Sequence, residues 1–183
     1  MSREGVLMEA WQPMLHELAG PRYARLVAHA ATLAGDRATA EDLVQDALVR
    51  TFSRPRHFDS VPQAERYVRL AIASAFIDAT RRSGREERGW RRNVTAEHTP
   101  EPGGPGVDTD VAAALASLSP RVRACIVLRF LEDLSTRETA SALGLSEGAV
   151  KRYVSDGTQA LAQRLGTSVD EPERLEVKVV RGD

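Results

Sequence analysis

The chain has one cysteine, Cys125, in 183 residues. No internal disulfide can form, and a cysteine-based zinc site is disfavoured. That usage fits a reducing compartment. Lysine is almost missing: Lys151 and Lys178 stand alone, and arginine carries the remaining basic charge. Arginine's planar fork suits bidentate contact with phosphate or carboxylate. Aromatic residues are 5% of the chain, so the core must be built mainly from Ala, Leu and Val. No apolar run approaches the roughly 18 residues that a membrane-spanning helix needs. The start, "MSREGVLMEAWQPMLHELAG", lacks a basic segment followed by an unbroken apolar stretch, so no signal peptide is expected and the location predicted is cytoplasmic. Also missing are a Gly-rich phosphate loop, a His–Glu metal spacing and a nucleophile with a local signature. His16, His29, His57 and His98 are scattered. An enzyme, a cofactor and a metal site are therefore not expected. Neither sign of charge dominates: the formal net charge is −1. Any DNA contact must come from local patches.

What is present is helical periodicity. "RYARLVAHAATLAGD" places Tyr23, Leu26, Val27, Ala30, Ala31 and Leu33 near helical spacing, and Gly35 stops that helix. In "TAEDLVQDALVRTF", Thr39 is a suitable N-cap with Asp42 three residues later. Leu43, Val44, Ala47, Leu48 and Phe52 form its apolar stripe. Pro55 and Pro62 bracket a loop. "AERYVRLAIASAFIDATRR" then reads as one long helix with Tyr67, Val68, Ala71, Ile72, Ala75, Phe76 and Ala79 on its apolar side.

Composition shifts after Arg82. Pro100, Pro102, Gly103, Gly104, Pro105 and Gly106 rule out a helix there. The segment predicts a flexible linker. The chain thus reads as all-α, two small helical domains joined by a linker: an extension over 1–13, a first domain over 14–85, a linker over 86–110, a second domain over 111–165 and a tail over 166–183. In the second domain, Ser119 and Pro120 read as an N-cap and first helical residue, and "RVRACIVLRFLED" as the helix that follows. Ser135 and Ser146 cap two more. "LEVKVV" at 175–180 is a short strand-like stretch without an obvious partner.

The last two helices have the spacing of a helix-turn-helix. Gly144 is the corner, Ala140 the small residue where the helices approach, and Val150 the buried residue of the second helix. Ser146 leaves that helix's first turn free to enter a major groove. Its outward positions are Glu147, Gly148, Lys151, Arg152 and Ser155. Thr139 stands at a usually aliphatic site. Asp156 would repel phosphate, and Gly157 costs up to about 1 kcal/mol inside a helix. Any packed helix pair needs a small residue and a corner glycine, so the pattern alone leaves both accounts open.

"LAGDRATAEDLVQDALVRTF" is similar to region 2, including region 2.2, of the extracytoplasmic-function (ECF) sigma factors, the small two-domain initiation subunits of bacterial RNA polymerase. "SLSPRVRACIVLRFLEDLSTRETASALGLSEGAVKRYVSDGTQAL" resembles their region 4. The likeness covers residues 14–85 and 111–165, in the family's order.

The resemblance implies the following roles. Asp42, Gln45 and Asp46, with Arg50 extending the same helix face, would grip the clamp helices of the polymerase beta-prime subunit; a merely solvated face is the competing account. The long helix and the loop before it would read the promoter −10 element, with Phe58 as a wall or stacking residue and Tyr67, Arg69, Ser74, Asp78, Arg81, Arg82 and Arg85 beside it. Tyr67 stands where many relatives carry tryptophan and Ser74 where asparagine is common. Plain core packing is the competing account of Phe58 and Tyr67. Arg88, Arg91 and Arg92 would enter the polymerase with the linker. Ser146, Glu147, Gly148, Lys151, Arg152 and Ser155 would read the −35 element, with Arg137, Arg121 and Arg123 on phosphates. The second domain would also dock on the beta flap. An anti-sigma factor would hold the protein inactive. The function implied is a promoter-specificity subunit; the alternative is a stand-alone helix-turn-helix regulator.

Overall fold

A computed structural model describes residues 3–54, 56–90 and 109–166, with side chains over 11–54, 56–82 and 110–166. Among the described residues the chain forms eight α-helices and one π-helical turn, and no strand. Helix α1 (Arg3–Ala19) is followed by α2 (Tyr23–Ala34), α3 (Arg37–Phe52) and α4 (Val61–Trp90). The second half contains α5 (Thr109–Ser117), α6 (Pro120–Ile126), α7 (Thr136–Leu143) and α8 (Glu147–Leu165). Helix α1 thus begins within the stretch read as an extension, and its Trp11 ring lies 5.9 Å from Phe52.

Glycine ends α2 as the pattern predicts. Gly35 is left-handed at φ 87°, and its N–H donates to the Ala31 carbonyl. The next cap differs from expectation. Asp36, not Thr39, is the N-cap of α3, and its carboxylate accepts from the Thr39 N–H at 2.8 Å. The chain leaves the left-handed glycine directly into an extended residue, so Asp36 reaches the cap geometry first. Helix α4 is longer than predicted. Pro62 is tolerated in its first turn, and the helix continues past Arg82 to Trp90. One glycine, Gly84, costs about 1 kcal/mol among Arg and Glu, which are good helix formers.

The helix predicted over Arg121–Asp133 changes register partway. After α6 the backbone widens into the π turn Val127–Leu131, and Asp133 adopts φ 50°. The Leu134 N–H then donates to the Leu128 carbonyl at 3.1 Å, closing the bend that aims α7. The segment "LEVKVV", the linker residues 91–108 and His98 lie outside the described residues.

Both helical units have the expected content, and they pack against each other. One continuous core joins Leu18, Leu26, Val44, Val68 and Ile72 of the first unit with Cys125, Val127, Leu128, Leu134, Leu143 and Val150 of the second. Helix α4 lies against α6 and α7, and α2 against α5 and α6.

Candidate functional site

Three surfaces carry the chemistry. The first is the outer face of α3. Asp42 and Gln45 are exposed, and Asp46 is half-buried beside them. Arg50 Nη2 lies 2.7 Å from Asp46 Oδ2, one helical turn away, and Arg50 Nη1 lies 3.5 Å from Asp78 Oδ2 on α4. The four residues predicted for this face are together. Asp78, which the resemblance assigns to the −10 group, joins them through Arg50. Val49 was missed, and it is 66% exposed on the same stripe, seven residues after Asp42. Its position at that spacing is the signal that could have found it.

The second surface is an aromatic cleft. Phe58 is buried at 6% exposure, 6.0 Å from the Phe52 ring and 5.6 Å from Tyr67. Arg56 sits 4.3 Å above the Tyr67 ring, a cation–π arrangement. Together they border a cavity of about 490 Å³ that also takes Gln63 from α4, and Leu134 and Ser141 from the second unit. Phe58 and Tyr67 therefore do both things: they pack, and they wall a cavity. Further along α4, Asp78, Arg81 and Arg82 are exposed. The side chains of Arg85 and Arg88, and all of Arg91 and Arg92, lie outside the described residues.

Two predicted residues of α4 face inward instead. The Ser74 hydroxyl donates to the Ala142 carbonyl at 2.7 Å. Arg69 Nη1 donates to both oxygens of Glu132, at 3.0 and 3.2 Å, and Arg69 Nη2 to Glu65 Oε1 at 2.8 Å. His29 Nδ1 lies 3.1 Å from Glu132 Oε1, and Arg22 pairs with Glu65. Burial pushes the Glu65 carboxyl up, but Arg22 and Arg69 outweigh it and hold it below the ordinary value. Glu132 is likewise pushed up by burial and held below the ordinary range by His29 and Arg69. Glu132 was not singled out in the sequence, because nothing local marks a carboxylate whose partner lies 63 residues away, and Glu65 was not, because its i,i+4 spacing to Arg69 looks like any surface helix pair.

The third surface is the α7–α8 pair. Gly144 is left-handed at φ 62°, Ala140 and Val150 are buried, and the Ser146 hydroxyl accepts from the Ala149 N–H at 3.2 Å. Thr139 tolerates full burial because its hydroxyl donates to the Ser135 carbonyl at 2.9 Å. Arg137, Ser146, Glu147, Gly148, Lys151, Arg152 and Ser155 are all exposed. A β-carbon at Gly148 would meet nothing within 4 Å, so the bare backbone there faces open space. Arg152 sits 5.1 Å from the Tyr153 ring centroid, and hydrogen bonds from Arg121 and then Arg152 hold the Tyr153 phenol below its ordinary value.

Two readings of this half are corrected. Arg123 cannot serve a phosphate: it is 9% exposed and donates to the carbonyls of Leu33, Ala116 and Leu118. Burial pushes its guanidinium below the ordinary value. Gly157 is not a flaw in the helix. A β-carbon there would sit 2.7 Å from Ile126 Cγ1 and 2.8 Å from Val122 Cγ1, so glycine is what lets α8 cross α6.

Both halves of the chain are similar to known proteins. The Sigma-70 region 2 pattern matches residues 21–86, and the Sigma-70 region 4 pattern matches residues 109–161. The chain is 31% identical over 182 residues to the ECF RNA polymerase sigma factor SigL of Mycobacterium tuberculosis, covering 92% of this chain and 99% of that protein. It is 32% identical over 146 residues to the RNA polymerase sigma-E factor of Streptomyces coelicolor, covering 76% and 79%. Among solved structures, the sigma factor RpoE in complex with the anti-sigma factor NepR from Bartonella quintana superposes with a TM-score of 0.61 at 26% identity, covering 80% of this chain and 92% of that one.

Proposed function

The chain belongs to the ECF RNA polymerase sigma factors, and on that premise we propose that it is a promoter-specificity subunit. It binds core polymerase, reads the −10 and −35 promoter elements and assists melting. It performs no catalysis of its own. The observation that carries this reading is the order of three surfaces along one chain. An acid-and-amide face on α3 comes first, an aromatic cleft before α4 second, and a capped, outward-facing first turn of α8 last.

Each surface has a chemistry suited to its part. Asp42, Gln45 and Asp46 offer carboxylate and amide acceptors to the basic clamp helices of the beta-prime subunit. Val49 adds an apolar contact in their midst. Capturing a flipped base costs a few kcal/mol of unstacking, which an aromatic-walled cavity offsets. Phe58 and Tyr67 supply that wall. Lys151 and Arg152 can reach phosphates or guanine edges, and Glu147 can accept from cytosine N4. The same half would dock on the beta flap. Work beside polymerase places the protein in the cytoplasm, and no helix among the described residues is long and apolar enough to cross a membrane. The solved relative bound to an anti-sigma factor supports control of this chain by a similar inhibitor.

Run-off transcription with core polymerase tests the reading. A promoter-dependent product that requires the chain is expected. No such product across a genomic template library would overturn it. A stand-alone regulator would instead bind DNA tightly without polymerase.

A further inference from the structure

Tyr153 lies one turn after Val150 and one turn before Gly157 on α8, a spacing that sets all three on one face of the helix. Val150 is fully buried, and Gly157 is the point where α8 crosses Val122 and Ile126 of α6. The Tyr153 ring therefore faces α6. It is half-buried and packs on the core, so the ring is anchored.

Two arginines converge on it. Arg152, the residue before it on α8, holds its guanidinium carbon 5.1 Å from the ring centroid. Arg121, at the start of α6 and next to Val122, turns to the same phenol, and both guanidiniums donate to its oxygen. The close crossing at Gly157 is what brings the start of α6 within reach of this face of α8. Both arginines are exposed, and neither is in an ion pair among the described residues.

An arginine on an exposed helix face samples many rotamers, and ordering it on a ligand costs conformational entropy. A phenol suits the task of holding it beforehand. It accepts from the guanidinium and offers a ring face, yet it leaves the positive charge for the ligand. A carboxylate in its place would hold the arginine and cancel that charge. Direction matters here, because arginine grips guanine through two parallel bonds to O6 and N7.

We propose that Tyr153 is a positioning residue of the −35 reader, holding Arg152 aimed at a guanine edge and Arg121 at the adjoining phosphate. This rests on the assignment of α8 to the −35 element. Tyr153 touches no base itself, since its ring faces α6, and it acts on specificity through the two arginines.

Tyr153→Phe keeps the ring and removes only the hydroxyl. Its melting temperature and core-polymerase affinity should match the wild type's. Transcription with core polymerase is measured from one responsive promoter and from versions with each −35 base pair changed in turn. Arg152→Ala should erase the preference at one base pair. At that pair the preference of Tyr153→Phe should shrink roughly three- to tenfold, the range for ordering one long side chain. Adding Tyr153→Phe to Arg152→Ala should change nothing further. In the free protein, the Arg152 Nε–H order parameter measured by NMR should fall in Tyr153→Phe. An unchanged preference in Tyr153→Phe, a further loss in the double variant, or an unchanged order parameter would overturn the proposal. A wild type indifferent to every −35 change would instead overturn the −35 assignment, and the order parameter would still decide whether Tyr153 holds Arg152.

Discussion

Gly157 shows how one residue can be misjudged from composition and explained by a crossing. Placing a β-carbon there drives it into Ile126 and Val122. Gly157→Val should therefore cost about 3 kcal/mol, the upper part of the range for an overpacked core. A urea midpoint equal to the wild type's would contradict that. On α3, Asp46→Arg would face Arg50, now 2.7 Å from the carboxylate, with a like charge. Core-polymerase affinity should fall by at least tenfold while the circular dichroism spectrum stays the same. Undiminished affinity would remove the assigned face. On α8, the double change Lys151→Ala/Arg152→Ala takes away two exposed cations. Use of a −35-dependent promoter should drop by about tenfold or more, since each good contact is worth about 1–3 kcal/mol. Core affinity should hold. Equal promoter output would refute the assignment.

At the scale of elements, what was legible was what is local. The helices α2, α3, α7 and α8 announce themselves by apolar spacing, and Gly35, Gly144 and Ser146 punctuate them within one turn. Helix α7 is the clearest case. Its N-terminus carries a full capping box, the Ser135 hydroxyl accepting from the Glu138 N–H and the Glu138 carboxylate accepting from the Ser135 N–H at 2.8 Å. Ser135→Ala should cost about 1 kcal/mol. The backbone and side chain of Ser135 together hold the Glu138 carboxyl below its ordinary value near 4.5. A lowered folded value means the contribution is complete above the unfolded value and is lost as pH falls through the folded one. The stability gap between wild type and Glu138→Gln should thus narrow as pH drops below 4.5, and thermal melts at stepped pH will show it. A gap that stays constant would dissociate the cap from this titration. The Asp36 cap and the π turn were less legible, because each depends on how the chain enters from a neighbouring bend.

At the scale of the whole molecule, the sequence predicts two helical units, and their meeting is invisible in it. Arg69 and Glu132 look like any solvated charges until a core spanning both units brings them together. Because that core is continuous, urea unfolding should follow one transition, with tryptophan fluorescence and far-ultraviolet dichroism superimposable. Separated transitions in the wild type would argue for independent units. The arrangement also has an order in time. A chain leaves the ribosome from its N-terminus, and domains fold as they emerge. Arg69, with its partner Glu65 before it in the chain, is translated 63 residues ahead of Glu132. The nascent protein therefore holds the Phe58 and Tyr67 side of the cleft before Leu134, Ser141 and Ala142, which line its other side, have been added.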